Sequence, residues 1–150
     1  MTEIRFTVRG VAVPQGSTRA FVVGKRAVTT NKTPQLTAWR NAIADEARKV
    51  APPALLGGAL QVSCYFTFEP PKSRRKQGMT MYSRPDIDKL LRAVLDACTG
   101  VLWHDDAQVC ILRGHKVYDS PPRCRITVRH CTSIDEVWRV MGLASAAVGL

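Results

Sequence analysis

The stretch RPDIDKLLR (residues 84–92) places two carboxylates, Asp86 and Asp88, where the chain turns from a loop into a helix. A second acidic pair, Asp105 and Asp106, stands just before a strand pattern in VLWHDDAQV. Carboxylates held close together repel one another, and a divalent cation removes that cost. Oxygen ligands suit Mg²⁺ or Mn²⁺ better than zinc. We therefore expect one residue of the second pair to join Asp86 and Asp88 around a Mg²⁺ ion, for which Mn²⁺ substitutes.

The convergence of Asp86 and Asp88 depends on the backbone at the start of the helix. On an ideal helix, residues two apart point about 200° away from each other, whereas in an extended segment they share a face. Pro85 favours an entry in which one carboxylate leaves the loop and the other leaves the first turn, so that the two converge. The alternative is structural, because acidic residues in a first helical turn complement the helix dipole and an acidic pair before a strand is a common turn.

The charge balance favours a polyanionic partner. The chain has 150 residues, with 22 Lys and Arg against 12 Asp and Glu and a net charge of +10. Such an excess favours nucleic acid first and an anionic membrane second. No apolar run is long enough to cross a bilayer, and the N-terminus lacks the apolar core of a signal peptide. The scattered cysteines, odd in number, indicate reduced thiols in a cytoplasmic protein.

Two loop regions concentrate the basic residues, and we expect both to contact a phosphate backbone. The N-terminal loop region carries Arg19, Lys25, Arg26 and Lys32. The loop that leads to Asp86 carries Lys72, Arg74, Arg75 and Lys76. A solvated run of charge is the alternative for each set. In such a basic surface, a bound metal would activate water and stabilise the charge that develops on a phosphodiester.

The hydrophobic pattern predicts one α+β domain over residues 1–150, with a core of 1–132 and a C-terminal helix and tail at 133–150. The element order is β-α-β-α-β-β-α, with helices packed against one small mixed or antiparallel sheet. The first helix starts at the cap Thr33 and runs to about Val50, and the second runs from about Pro85 to Cys98. A small hairpin is expected around Gly24 and Lys25, and a third helix opens at Ser133.

The block RPDIDKLLRAVLDACTGVLWHDDAQV resembles the signature of RusA-type crossover-junction endodeoxyribonucleases, the Holliday junction resolvases typical of phages and prophages. The shared features are a D-x-D at a helix start, an aliphatic run ending in LDA, a glycine turn and DDxQV. The resemblance is close over residues 84–109 and looser in VPQGSTR and TPQLTAWR. It implies a small homodimer that binds four-way DNA junctions and nicks two strands symmetrically with Mg²⁺ or Mn²⁺ in recombination and repair.

The resemblance also assigns residues. The family's metal-binding carboxylates fall on Asp86, Asp88 and Asp106. Asp105 is the rival for the third position. If Asp105 is not the ligand, we expect it to support Asp106 through a turn hydrogen bond. The family's essential lysine falls on Arg92, which keeps the charge and suits holding a phosphate or stabilising the transition state. The usual asparagine is Lys89 here, which adds a phosphate contact. We expect these residues to act in the cytoplasm, that of a bacterial host if a phage encodes the chain.

Two rival functions remain open at this point. The first is a related nuclease that prefers flaps, forks or replication intermediates. The second is a non-catalytic basic DNA-binding module in which the acidic turn is purely structural.

Overall fold

The computed structural model describes residues 3–16, 19–30, 33–73, 79–131, 133, 137–139 and 141–142, and of residues 19–23 and 26–30 it describes the backbone. The strands and helices in these ranges are β1 (Ile4–Arg9), β2 (Arg19–Val23), β3 (Arg26–Thr30), α1 (Pro34–Val50), β4 (Leu60–Phe68), β5 (Met79–Thr80), α2 (Ile87–Cys98), β6 (Val109–Tyr118) and β7 (Arg123–His130). A 3₁₀ turn at Asp106–Gln108 leads into β6.

Five strands form one mixed sheet in the order β1-β7-β4-β6-β5. Strand β4 runs parallel to β6 and antiparallel to β7. Strands β2 and β3 form a separate hairpin around Gly24 and Lys25, where it was predicted. The predicted α+β class, the mixed sheet and the hairpin are confirmed, and the short strand β5 is an addition to the predicted elements.

Local sequence explains the first half of the fold. Along β1, buried and exposed residues alternate, as expected for a strand that covers a core on one side. Helix α1 begins where the Thr33 side chain accepts a hydrogen bond from the Leu36 backbone N–H at 3.2 Å, with Pro34 in the first turn. Its buried residues are Leu36, Trp39, Ile43, Ala44 and Ala47. Helix α1 therefore packs one face against β1 and α2.

Helix α2 lies against β6 because Gly114 leaves room for it. A Cβ atom at Gly114 would stand 2.9 Å from Ile87 Cγ1 and 3.0 Å from Leu91 Cδ1, too close for ordinary packing. The helix starts two residues later than the predicted Pro85, and Asp86 takes the capping position. Its buried residues are Leu90, Leu91, Ala93, Val94, Ala97 and Cys98. The close approach at Gly114 thus sets where the first turn of α2 lies on the sheet.

At the C-terminus the structure describes one helical turn at residues 137–139. The backbone N–H of Val137 donates to Ser133 O at 3.3 Å, and that of Met141 donates to Val137 O at 3.0 Å. These bonds agree with a third helix that opens at Ser133, although residues 134–136 and the tail from 143 onwards lie outside the described residues. In the described part of the chain, every helix is too short or too polar to cross a membrane.

Candidate active site

The loop before α2 is held by a lysine from the neighbouring strand. Lys116, on β6, donates from Nζ to the carbonyl oxygens of Ser83 and Pro85, each at 2.7 Å. The Ser83 hydroxyl is also hydrogen-bonded to the Tyr118 hydroxyl at 2.8 Å. Because Ser83 and Pro85 directly precede Asp86, Lys116 fixes the place from which the candidate metal ligands leave the loop.

Asp86 and Asp88 flank the start of α2 with their carboxylates exposed. Asp86 has an extended backbone, with φ −69° and ψ 137°, and its side chain makes no capping hydrogen bond although it occupies the capping position. Its Oδ2 lies 3.3 Å from Lys89 Nζ, and 57% of its side chain is exposed. Asp88 follows in the first turn and is exposed too. Both carboxylates are therefore accessible to a cation at the helix end where the dipole favours negative charge.

A cavity of about 820 Å³ adjoins Asp86. Its lining is mainly apolar and includes Ala12, Phe68, Met81 and Tyr118, while charged residues such as Asp86 and Lys89 contribute the polar part. This volume and mixture are typical of pockets that hold small organic groups. The N-terminal loop closes one side, since the Gln15 backbone N–H donates to Lys89 O at 3.0 Å.

Asp106 is held at the other end of α2. Its Oδ1 accepts a hydrogen bond from Trp103 Nε1 at 3.0 Å and another from the hydroxyl of Thr99, the residue that caps the C-terminus of α2. Trp103 is completely buried. Because a buried ring and a helix cap direct both donors at Oδ1, the Asp106 carboxylate has a fixed position.

Neighbouring residues build the turn that carries Asp106. Asp105 Oδ1 accepts from the Ala107 backbone N–H at 2.7 Å, which is the turn hydrogen bond predicted for Asp105. Gln108 completes a capping box, because its Oε1 accepts from the Asp105 backbone N–H at 3.1 Å. Its Nε2 donates to Leu56 O at 2.8 Å and so connects the turn to the loop before β4. The glutamine of the DDxQV pattern therefore has a structural role.

The length of α2 separates the predicted metal ligands within one chain. The helix has 12 residues, and a helix of that length is about 18 Å long. Asp86 lines the large cavity, whereas Asp106 lines a different one with Arg40 and Asp96. Across the described residues, no group of three or more acidic, histidine or cysteine side chains could hold a metal ion. The expected convergence of Asp86, Asp88 and Asp106 therefore does not occur within a single chain, and their roles as ligands stay predictions.

The Cys98 thiol is buried in the interior next to Asp106, and burial makes its ionisation less favourable. Burial therefore raises the pKa of the Cys98 thiol, and the nearby Cys64 and the Asp106 charge raise it further. All five cysteines are free, and those that are buried are Cys64, Cys98, Cys124 and Cys131. This arrangement agrees with the prediction of reduced thiols packed in the core.

The predicted DNA-contacting residues are described unevenly. Lys25 is exposed in the turn of the β2–β3 hairpin, and the backbones of Arg19 and Arg26 lie in its two strands. Lys89 pairs with Asp86, and Arg92 is exposed one turn beyond Asp88 on α2. Those that lie outside the described residues are Lys32, Arg74, Arg75 and Lys76.

Sequence reasoning missed the residues that position the carboxylates. The spacing of Asp105 and Gln108 is a capping-box signal that was available in the sequence. Lys116 gave no such signal, since it reaches residues 31 and 33 positions earlier in the chain. The contact of Thr99 with Asp106 likewise depends on how the turn after α2 folds back.

These features define an α+β domain whose acidic residues flank one helix in a strongly basic chain. The model of the family Endodeoxyribonuclease RusA matches residues 11–129, which include both ends of α2. The chain therefore belongs to the RusA endodeoxyribonuclease family, a family of nucleases. It is also similar to the uncharacterized protein YqaN of Bacillus subtilis (strain 168), with 24% identity over 140 residues that cover 87% of this chain and 98% of that protein.

Proposed function

We propose that this protein is a Mg²⁺-dependent endonuclease that resolves Holliday junctions by paired symmetric nicks during DNA recombination and repair. Family membership supports a nuclease that acts on DNA. The observation that carries the proposal is the capping position of α2, where Asp86 makes no capping hydrogen bond and its carboxylate stays exposed. A carboxylate needed only for helix stability would be expected to accept that bond.

The donor set suits the proposed ion. Asp86 and Asp88 offer carboxylate oxygens, which Mg²⁺ and Mn²⁺ prefer. When bound, the metal would supply a Lewis acid and lower the pKa of a coordinated water. Lys116 orients the loop before Asp86, and Arg92 is placed to hold a phosphate through its planar guanidinium group. Lys89 would then exchange its contact with Asp86 for one with DNA once the metal takes that carboxylate.

We further propose that the active unit is a homodimer. Two nicks on strands of like polarity require two active sites related by approximate twofold symmetry, and a C2 dimer supplies them. Because Asp106 lies beyond one end of α2 while Asp86 and Asp88 lie at the other, and a helix of this length is about 18 Å long, a site with all three would combine Asp86 and Asp88 of one subunit with Asp106 of the second. The fixed position of Asp106 supports such a role, since a ligand presented to another subunit must be held from behind.

The remaining proposals concern DNA contacts and location. Contacts with the DNA backbone are assigned to the N-terminal loop region and to the loop before Asp86, through Arg19, Lys25, Arg26, Lys32, Arg74, Arg75 and Lys76. The exposed position of Lys25 and the basic charge of both segments support them. The five free cysteines support a reducing compartment, namely the cytoplasm of a bacterium or of a phage-infected host.

The test compares cleavage of a fixed four-way junction, a Y-fork and duplex DNA with Mg²⁺, with EDTA and with the variant Asp88→Asn. Loss of residues that merely support a metal ligand costs about 10- to 100-fold, so loss of a ligand should lower junction cleavage by about 100-fold or more. Junction binding should persist, because a negative charge that faces phosphate is removed. The matched control is Asp45→Asn, which removes an exposed carboxylate from α1.

Each other outcome selects a rival. If the unmodified protein and Asp88→Asn both bind junctions but neither cleaves them with Mg²⁺, the acidic turn is structural and the protein is a DNA-binding module. If Asp88→Asn cleaves junctions as fast as the unmodified protein, the protein is a nuclease but Asp88 is not part of its active site. If forks or flaps are cleaved in preference to junctions, the protein acts on replication intermediates. Cleavage that continues in EDTA would remove the metal from the proposal.

A further inference from the structure

The two faces of the five-stranded sheet differ in chemistry. The face against the helices is apolar, with Ile4, Phe6 and Val8 of β1 buried beside the inward residues of β7. Because side chains alternate along a strand, the residues between them point to the opposite face. The arginines on that face are Arg5 and Arg9 of β1, Arg113 of β6, and Arg123, Arg125 and Arg129 of β7. We call these six residues, with Thr7, Tyr65 and His115, the arginine face.

The strand register aligns these residues in rows. In one row Thr7 of β1 pairs with Arg125 of β7, which pairs with Tyr65 of β4, which in turn pairs with His115 of β6. Strands are about 4.8 Å apart, so this row crosses about 14 Å of surface. All four residues are exposed. The Tyr65 and His115 rings lie with their centroids 5.9 Å apart and give the row an aromatic end.

Local carboxylates leave much of this positive charge unpaired. Glu3 pairs with Arg5 at 2.7 Å, and Asp119 pairs with Arg123 at 3.1 Å. No ion pair among the described residues engages Arg9 or Arg125, and both arginines are exposed. A concavity of about 480 Å³ lies on the same face, lined by Arg5, Thr7, Arg125 and Arg129 among others. Arg9 and Arg125 therefore offer exposed guanidinium groups to an anion, although Arg125 also acts on the Asp119 carboxylate at longer range.

This composition fits a phosphate backbone better than it fits a protein partner. Arginine and tyrosine also occur at protein interfaces, but the six arginines of this face, two of which pair with Glu3 and Asp119, give an excess of positive charge that a polyanion neutralises. Arginine presents a planar fork of donors that matches phosphate oxygens, and phosphate contacts supply the sequence-independent part of DNA affinity. The family membership of the chain makes DNA the polyanion to expect.

We propose that the arginine face is a second DNA-binding surface that grips the phosphates of a duplex, on the reverse of the sheet from α2 and its carboxylates. The proposal rests on the proposed function only in taking DNA as the ligand. A junction has several duplex arms, so an enzyme that engages the crossover at α2 gains affinity and orientation if a separate surface holds an arm. None of the loop residues predicted to contact DNA belongs to this surface.

The test is the salt dependence of DNA binding in EDTA, which withholds the proposed metal. Arg9→Gln combined with Arg125→Gln should lower affinity equally for different DNA sequences. Each lost phosphate contact reduces the slope of log K against log salt by about 0.9, so the double variant should lose about 1.8. The matched control is Arg48→Gln with Arg139→Gln, which removes the same net charge at two exposed positions outside the arginine face. Thermal unfolding of both variants should match that of the unmodified protein.

The outcomes separate this surface from the active site and from other partners. Equal salt slopes for the double variant and the control would overturn the proposal, as would a double variant that loses RNA binding but keeps DNA binding. A double variant that keeps its salt slope but dissociates into monomers would assign the face to subunit contact instead. If the unmodified protein cleaves no DNA substrate with Mg²⁺ while the double variant loses its salt slope, the nuclease proposal fails and the arginine face stands.

Discussion

At the N-terminal end of α2, Asp86 and Asp88 are exposed, and the Asp86 side chain makes no capping hydrogen bond. At the C-terminal end, in contrast, the Asp106 carboxylate accepts hydrogen bonds from Trp103 and Thr99. The first pair is free to exchange partners, as its contact with Lys89 illustrates. Asp106 has no such freedom, because a buried indole directs a donor at it. One helix thus presents accessible carboxylates at one end and a rigidly placed carboxylate at the other.

The helix dipole explains why a carboxylate needs hydrogen-bond donors at the C-terminal end of α2 but not at the N-terminal end. Negative charge is stabilised at a helix N-terminus and disfavoured at a C-terminus, by about 0.3–1 kcal/mol at exposed sites. Asp86 and Asp88 therefore need no further support. Asp106 lies beside the C-terminal cap Thr99, and the last turn of α2 has no basic residue to offset its charge. The two side-chain donors supply that compensation, which indicates that the fold maintains a carboxylate where the local field opposes it.

The largest effect that tests this contrast is complementation between inactive variants. Asp88→Asn and Asp106→Asn should each lower junction cleavage by about 100-fold or more. If each site combines both ends of α2 from two subunits, a mixed dimer retains one intact site. An equimolar mixture after subunit exchange should then recover about one quarter of the wild-type number of sites. The measurement is the rate of junction nicking after co-refolding, compared with each variant alone.

The products provide the internal control for this experiment. Mixed dimers with one working site should release single nicks, whereas the unmodified protein should release paired nicks. If the mixture stays as inactive as its components, each site belongs to one chain, and Asp106 does not act with Asp86 and Asp88.

A smaller effect is expected on stability at the C-terminal end. Trp103→Phe keeps an aromatic ring in the core but removes the donor to Asp106, and hydrogen bonds to charged groups contribute about 1.5–3 kcal/mol. We expect the free energy of unfolding to fall by that amount plus the cost of the smaller ring, as measured by denaturant titration. Asp88→Asn, at an exposed position, should change it by less than about 0.5 kcal/mol.

A second tryptophan isolates the contribution of that hydrogen bond. Trp39 is buried too, but its Nε1 has no hydrogen-bond partner among the described residues. Trp39→Phe therefore loses ring volume without losing a bond. If Trp103→Phe destabilises the protein no more than Trp39→Phe does, the bond to Asp106 adds nothing and the rigid placement of Asp106 has another cause.

The N-terminal end of α2 was the more predictable of the two from sequence. Pro85, the D-x-D pair and the apolar stripe are local signals, and they gave the helix and its acidic start to within two residues. The sequence also implied that Asp106 is separated from Asp86, because the helix predicted from 85 to 98 lies between them and its length follows from its residue count. What the local pattern could not show is that Thr99 and Trp103 hold Asp106 at the far end, since those contacts depend on the turn after α2.

The arginine face could not be predicted from the sequence for a different reason. Arginines alternate with apolar residues in IRFTVR and RCRITVRH, so the sequence indicates that each strand has one basic side. Their convergence requires the pairing of β1 with β7, which are more than 100 residues apart in the chain, and the pairing of β4 with β7 and β6. Charge clusters in loops are visible as runs, whereas a basic sheet face appears only when the register is known.

The smallest expected effect concerns the packing of α2 against β6. Gly114→Ala would place a methyl group against Ile87 and Leu91 at about 3 Å, and overpacking of this kind costs 1 to 3 kcal/mol. The Cδ1 atoms of Ile87 and Leu91 end their side chains and can move, whereas Ile87 Cγ1 belongs to a β-branched side chain that is stiff at χ1. We therefore expect a loss of about 1 to 2 kcal/mol. The first turn of α2 should move by a fraction of an ångström, and since a 1 Å misplacement costs about 100-fold in rate, we expect about a tenfold loss of cleavage.

Gly57→Ala is the matched control, since a Cβ there meets nothing within 4 Å. It should leave both unfolding and cleavage unchanged. The informative measurement is the cleavage rate of Gly114→Ala at a temperature where the variant is fully folded, so that lost stability does not contribute to the rate. A rate loss under those conditions means that the seat of α2 on β6 sets the position of Asp86 and Asp88. A folded variant with an unchanged rate would show that the accessible end of α2 tolerates displacement, so that only Asp106 requires a fixed position.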